Sequence, residues 1–272
     1  MKLLFRAGMI MIVDCHTHIA SCVEDIDRSE HLAAAETVDA CIVLADEDRS
    51  ANQINKELSE YVNNHKSKMV GFAFIEPTEK VVQREELVFI RDELGLNGVV
   101  LYCSSCGFHP AHSRAMQFYE SAQQAGMPVF FHNDADCGAS VLNYAQPWLL
   151  DEVARTFGDL KLVIGNMGMP FLKQTLTMLR KHKNVYADLT LKTDSIWQVY
   201  NTVISAYEYS VMDKLLFGSG FPSGNPGQCI ETLLGFNKLL ADTNLPRVPR
   251  EKVRQIVERD TLDLLGITPH LL

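Results

Sequence analysis

Eight short runs of apolar and β-branched residues recur along the chain, and segments with helical spacing lie between most of them. The runs cover 10–15, 40–45, 69–75, 98–102, 128–132, 161–165, 185–189 and 214–218. The helical segments cover 52–65, 79–94, 113–124, 148–157, 170–182 and 195–208. In the first of these Ile54, Leu58, Tyr61 and Val62 recur at the spacing of one helix face, and in the second Val82, Leu87, Ile90 and Leu94 do so. The helix between the first two runs is thin, with only 29–36 to fill it. Gly95, Gly126 and Gly158 stand where helices should stop.

Strand runs this continuous in apolar residues belong to parallel strands buried on both faces, because alternation is expected only where one face meets water. Eight of them alternating with helices predict a (β/α)₈ barrel, a closure that takes about 250 residues. The 272 residues suit it as a single domain spanning 1–272, with segments 228–240 and 250–265 completing the outer ring. A doubly wound open sheet is the alternative, but no glycine-rich phosphate loop follows the early strands.

Function classes narrow from charge and cysteine usage. The net charge is −9 with scattered basic residues, which argues against nucleic acid and anionic membrane surfaces. No apolar stretch reaches the ~18 residues that span a bilayer. The opening Met1-Lys2-Leu3-Leu4-Phe5-Arg6 lacks a signal-peptide cleavage site, so a cytosolic protein is expected. Seven dispersed cysteines do not make a disulfide framework. The Cys103–Cys106 pair has no second pair at zinc-ribbon spacing and opens no helix, so neither structural zinc nor redox chemistry is expected of it.

In a barrel of this type the chemistry stands at the C-terminal ends of the strands. The first run leads into Asp14-Cys15-His16-Thr17-His18, where alternation points His16 and His18 the same way. The fifth ends in His132 after Phe130-Phe131. Three histidines at strand ends are expected to converge on one metal ion, with nitrogens near ~2.1 Å from it if the ion is zinc. The sixth run leads into Asn166, the seventh into Asp188 and Thr190 on a shared face, and the eighth into Gly218-Ser219-Gly220-Phe221-Pro222. Tyr102, His109 and Phe221 are expected to face a small-molecule substrate at the mouth.

These strand-end motifs resemble the amidohydrolase-2 branch of the amidohydrolase superfamily, in their order and spacing from Asp14 to about Gly266. The stretches are IVDCHTH, GVVLY, GFHPAHSRAMQFYESAQQAGMPVFFH, KLVIGNMGMP, NVYADLT, LLFGSGFP and ERDTLDLLGI. The resemblance implies a hydrolase or decarboxylase that depends on one divalent metal, zinc or else manganese, with His16, His18 and His132 as ligands. The family pattern adds an aspartate after strand eight, which binds the metal and takes the proton from water, and a histidine after strand six. Here Gly220 and Asn166 stand in those places, and Val100 stands where some relatives carry a bridging lysine, so a two-metal centre is not expected.

Glycine cannot act as a base, and asparagine donates a hydrogen bond without transferring a proton at neutral pH. A replacement base is sought among Asp188, Asp134, Asp136, His109 and His112, with Asp188 and Asn166 placed as the catalytic pair. The space left at Gly220 is expected to hold water, a substrate group or a side chain such as Asp188. The readings that remain are a hydrolase of C–O or C–N bonds (or a decarboxylase) with an altered proton relay, a non-catalytic relative that binds metal or a small ligand, and a cysteine-nucleophile enzyme using Cys103 or Cys137. A homo-oligomer is compatible with all three.

Overall fold

Eight parallel strands hydrogen-bond in chain order, β1 (Val13–Thr17), β2 (Ala40–Leu44), β3 (Met69–Phe74), β4 (Leu96–Leu101), β5 (Val129–Phe131), β6 (Leu162–Ile164), β7 (Val185–Thr190) and β8 (Leu215–Gly218). The computed structural model describes residues 11–19, 28–47, 50–133, 138 and 140–268. The ring closes between the first and last strands. The His18 N–H donates to the Phe221 carbonyl at 2.9 Å, and the Gly220 N–H donates to the His16 carbonyl at 2.9 Å. The architecture is therefore the expected (β/α)₈ barrel, and nearly every strand residue is buried because helices cover the outer face.

The outer layer comprises α1 (Arg28–Ala35), α2 (Ala51–Asn64), α3 (Arg84–Asp92), α4 (Ser113–Ala125), α5 (Asp151–Thr156), α6 (Leu172–Lys181), α7 (Ile196–Glu208), α8 (Pro226–Leu234), α9 (Arg250–Val257) and α10 (Thr261–Leu265). Helix α4 ends as expected at Gly126, whose φ of 67° supplies the left-handed cap. The two final segments differ from expectation, since each divides in two. The 228–240 segment is α8 followed by a 3₁₀ turn, Phe236–Leu240. The 250–265 segment breaks at Glu258-Arg259-Asp260, where the Asp260 side chain accepts from the Asp263 N–H and starts a new helix. The Arg259 guanidinium meanwhile donates to the Leu215 and Met212 carbonyls below β8. A single helical period carries through both pieces, so the pattern of apolar residues did not reveal the break.

Helix α1 turns His31 inward, where Nδ1 lies 2.7 Å from the Tyr61 hydroxyl and the ring stands 5.1 Å from that of Phe221. Burial, with smaller contributions from His18 and His65, pushes this imidazole down to about 4. A histidine depressed in the folded state keeps its full stabilising share above the unfolded value near 6.5, and loses it as pH falls toward 4, because only the unfolded chain takes up the proton. Stability should therefore drop by about 2 kcal/mol between pH 8 and pH 5 from this residue. Urea titration at the two pH values should show a smaller drop for His31→Gln, and an unchanged drop would remove His31 as its source.

Candidate metal centre

The inner face of β1 carries Asp14 and His16, and His18 follows one residue past the strand. His132 sits directly after β5, where its N–H donates to the Leu101 carbonyl at 2.9 Å. The three imidazoles turn their Nε2 atoms to one point. His16 Nε2 is 3.2 Å from His18 Nε2 and 3.1 Å from His132 Nε2. Among the described residues this is the one group of three or more histidines, cysteines or carboxylates assembled closely enough to hold an ion. The Phe130 ring, 5.3 Å from His16, forms the floor.

Two carboxylates face the far nitrogens. Asp188 Oδ2 is 2.7 Å from His16 Nδ1, and Asp46 Oδ1 is 2.9 Å from His18 Nδ1. A neutral imidazole carries one N–H. At His16 the Asp188 carboxylate draws it to Nδ1 and leaves the Nε2 lone pair facing inward. Where the facing nitrogens are both unprotonated, lone pairs 3.1–3.2 Å apart repel one another unless a cation lies between them. A tetrahedral zinc ion with bonds of ~2.0–2.1 Å spaces its donors by about 3.3 Å. The residues present fit such an ion.

Asp188 is wholly buried and held by three donors. The Asn166 N–H reaches Oδ2 at 2.7 Å, the Thr190 hydroxyl donates to Oδ1, and His16 completes the set. Burial raises its pKa, but His16 and these hydrogen bonds outweigh that and hold it below the usual carboxylate range. Gly218 makes room for this contact, since a Cβ there would lie 2.5 Å from Asp188 Oδ1 and 2.9 Å from His16 Cβ. Asp14 behaves oppositely. Burial, with Asp188 nearby, pushes its carboxyl up to about 7 despite N–H donors from Ser219 and His16.

The two departures from the family pattern have distinct surroundings. Asn166 and Met167 both adopt left-handed backbone, with φ of 50° and 51°. The Asn166 side chain donates to the Asn133 carbonyl at 3.2 Å, and the Thr175 hydroxyl anchors the Met167 carbonyl at 2.7 Å. Asn166 thus meets Asp188 through its backbone. Gly220 has φ of 66°, and a Cβ built on it would lie 2.6 Å from Thr190 Cγ2. The space expected to hold Asp188 or water is bordered by the Thr190 methyl, while Asp188 stands behind His16.

The other expected residues are less central. Tyr102 is buried with its ring 4.7 Å from that of His132, and its hydroxyl donates to the Ala45 carbonyl at 2.8 Å. Phe221 lies against His31. His109 Nδ1 accepts from the Ala111 N–H and its ring lies against Tyr144, while His112 caps α4. Asp134, Asp136 and Cys137 lie outside the described residues. Burial pushes the Cys103 thiol far above its ordinary value, which leaves it protonated and a poor nucleophile. Asp46 was missed from the sequence. It sits just past the second run, and the rule that singled out His132 at a strand end would have found it.

The amidohydrolase family model of the amidohydrolase-2 type matches residues 13–257. The chain belongs to this family. No curated protein matches the sequence. Among solved structures, 5-carboxyvanillate decarboxylase from Sphingomonas paucimobilis superposes with a TM-score of 0.67 at 13% identity, covering 96% of this chain and 100% of that one. A probable 2-pyrone-4,6-dicarboxylic acid hydrolase from Acinetobacter baumannii, crystallised with citric acid, gives 0.66 at 15% identity, over 95% and 100%. A dihydroxybenzoic acid decarboxylase from Polaromonas, with bound manganese and 2-nitroresorcinol, gives 0.61 at 16%, over 95% and 97%. At these identities the likeness concerns the fold. Among the described residues no helix is long and apolar enough to cross a membrane.

Proposed function

We propose that this amidohydrolase-family protein is a mononuclear metal-dependent hydrolase of small organic molecules, with His16, His18 and His132 as the metal ligands. The carrying observation is the convergence of three Nε2 atoms, two of them on rings whose opposite nitrogen faces a carboxylate. A divalent ion there would supply Lewis-acid activation of water or of a substrate oxygen. We take zinc as the ion, with manganese second, and the 272 residues as one cytosolic domain.

The chain's own residues divide the remaining work. His16, His18 and His132 offer neutral nitrogen donors. Asp188 keeps the His16 proton on Nδ1 and balances positive charge that reaches this ring, and the Asn166 N–H and Thr190 hydroxyl keep Asp188 ionised. Asp188 acts in this reading by positioning, because its oxygens are committed behind His16. Tyr102 supports the His132 ring.

A decarboxylase is the second reading. It is favoured by Gly220, which leaves no carboxylate at the place where the family's water-activating base stands. It is also favoured by the decarboxylases among the structural neighbours.

Protein purified without a histidine tag should carry one equivalent of metal, and His16→Ala or His132→Ala should lose it. Lactones, aryl esters, amides and hydroxylated benzoates should be assayed with metal-loaded and chelator-stripped protein. Turnover of any of them should vanish on stripping and return with zinc or manganese. Wild-type protein that takes up no metal from supplemented medium would overturn the proposal.

A further inference from the structure

We propose that Asn166 is a positioning residue that ties His132 to the support of His16, so that the Nε2 atoms of the two rings keep their spacing. The inference rests on the metal reading above.

Asn166 reaches in two directions. Its backbone N–H donates to Asp188 Oδ2 at 2.7 Å, and the same oxygen stands 2.7 Å from His16 Nδ1. Its side-chain amide donates to the Asn133 carbonyl at 3.2 Å, and Asn133 follows His132 directly in the chain. One residue past the end of β6 thus joins the carboxylate behind the first histidine to the backbone behind the third.

The amide arm belongs to a closed ring of hydrogen bonds. The Asn133 side-chain amide donates to the Met169 carbonyl at 2.7 Å, and the Met169 N–H donates to the Asn166 carbonyl at 3.0 Å. The ends of β5 and β6 are pressed together beside this ring. A Cβ on Gly165 would lie 3.0 Å from the Phe131 carbonyl oxygen and 3.3 Å from the Asn133 nitrogen. The turn also needs a φ of 50° at position 166, which asparagine adopts more readily than most residues that carry a side chain.

The two arms can be separated. Asn166→Gly keeps the left-handed backbone without steric cost and keeps the N–H to Asp188, so only the link to Asn133 is lost. Asn166→Asp keeps the size and sets an oxygen against the Asn133 carbonyl in place of a donor. Both asparagines are half-buried, so water can take up the Asn133 carbonyl and the fold should survive either change.

The experiment compares wild type with these two variants, using thermal unfolding to verify the fold. Zinc affinity is read by competition with a chromophoric chelator, and the geometry of the site from the visible bands of cobalt-loaded protein. Long-range nitrogen–proton spectra report the imidazoles of the metal-free protein. Both variants should bind zinc about 10–100-fold more weakly and displace the cobalt bands. In the metal-free protein the signals of His16 and His132 should shift together. A purely structural amide would lower the melting temperature and leave the spectra of the folded protein unchanged. That result, or wild-type zinc affinity in both folded variants, would overturn the assignment. If wild type itself bound neither zinc nor cobalt, the metal reading would fall, and the paired shift of the two imidazoles would still decide for or against Asn166.

Discussion

Asp188→Ala should lower the stability of the fold by about 2–5 kcal/mol, because buried donors that lose an acceptor cost about 1–3 kcal/mol each. The carboxylate accepts from His16 Nδ1, the Asn166 N–H and the Thr190 hydroxyl in a place from which water is excluded. Alanine leaves the Asn166 N–H without its acceptor, while His16 Nδ1 and the Thr190 hydroxyl, 3.0 Å apart, keep only each other, at about 1–3 kcal/mol for each group that finds no other. The cost extends into the backbone. Asn166 and Met167 occupy consecutive left-handed conformations, which cost of order 1–3 kcal/mol each, and their N-terminal end is held by Asp188. Asp188→Asn should lose less, since one amide oxygen still accepts while the amide nitrogen confronts a donor. Urea unfolding should show the midpoint falling with the slope unchanged. Zinc affinity should fall in parallel, because His16 is then free to carry its proton on Nε2. An alanine variant within about 0.5 kcal/mol of wild type would contradict the role assigned to this carboxylate.

The barrel was legible in the sequence because its strands need apolar residues on both faces. That requirement leaves dense runs such as 98–102 and 128–132, each placed within two residues of β4 and β5. The helix breaks were hidden because capping at Asp260 is a local event inside an unbroken apolar period. The histidines were legible for a further reason. A strand end in a parallel barrel has a known direction, so His16, His18 and His132 could be sent to one place without knowing any distance. Their supports were harder to see. Thr190 shares a face with Asp188 by alternation, but nothing in its position announces that its methyl borders the space of a residue 30 positions later. Asp46 stands just past the second run, where a strand-end reading reaches it, but its place beside His18 follows from the pairing of β1 with β2.

That relation between Thr190 and Gly220 changes what restoring the family aspartate should do. Gly220→Asp alone is expected to fail as a repair. Its Cβ would stand 2.6 Å from Thr190 Cγ2, and its backbone would keep a φ of 66°. Overpacking of this kind costs about 1–3 kcal/mol, and a left-handed conformation for a non-glycine residue adds roughly 1–2 kcal/mol. The variant should therefore be destabilised by about 2–5 kcal/mol, with zinc affinity little improved. Thr190→Ser removes the obstructing methyl and keeps the hydroxyl that donates to Asp188, so by itself it should be nearly neutral. In the double variant the aspartate gains room to face the histidines as a fourth, anionic donor. Zinc should then bind more tightly than to wild type, and aryl-ester hydrolysis should rise toward the ~10²–10⁴-fold that a positioned general base contributes. The two substitutions should be strongly non-additive, with a coupling of about 1–3 kcal/mol in a double-mutant cycle of unfolding free energies. Additive effects would mean that Thr190 does not guard the Gly220 position. A Gly220→Asp protein as stable as wild type would show that the place stands open, and the loss of the aspartate would then have no steric counterpart in β7.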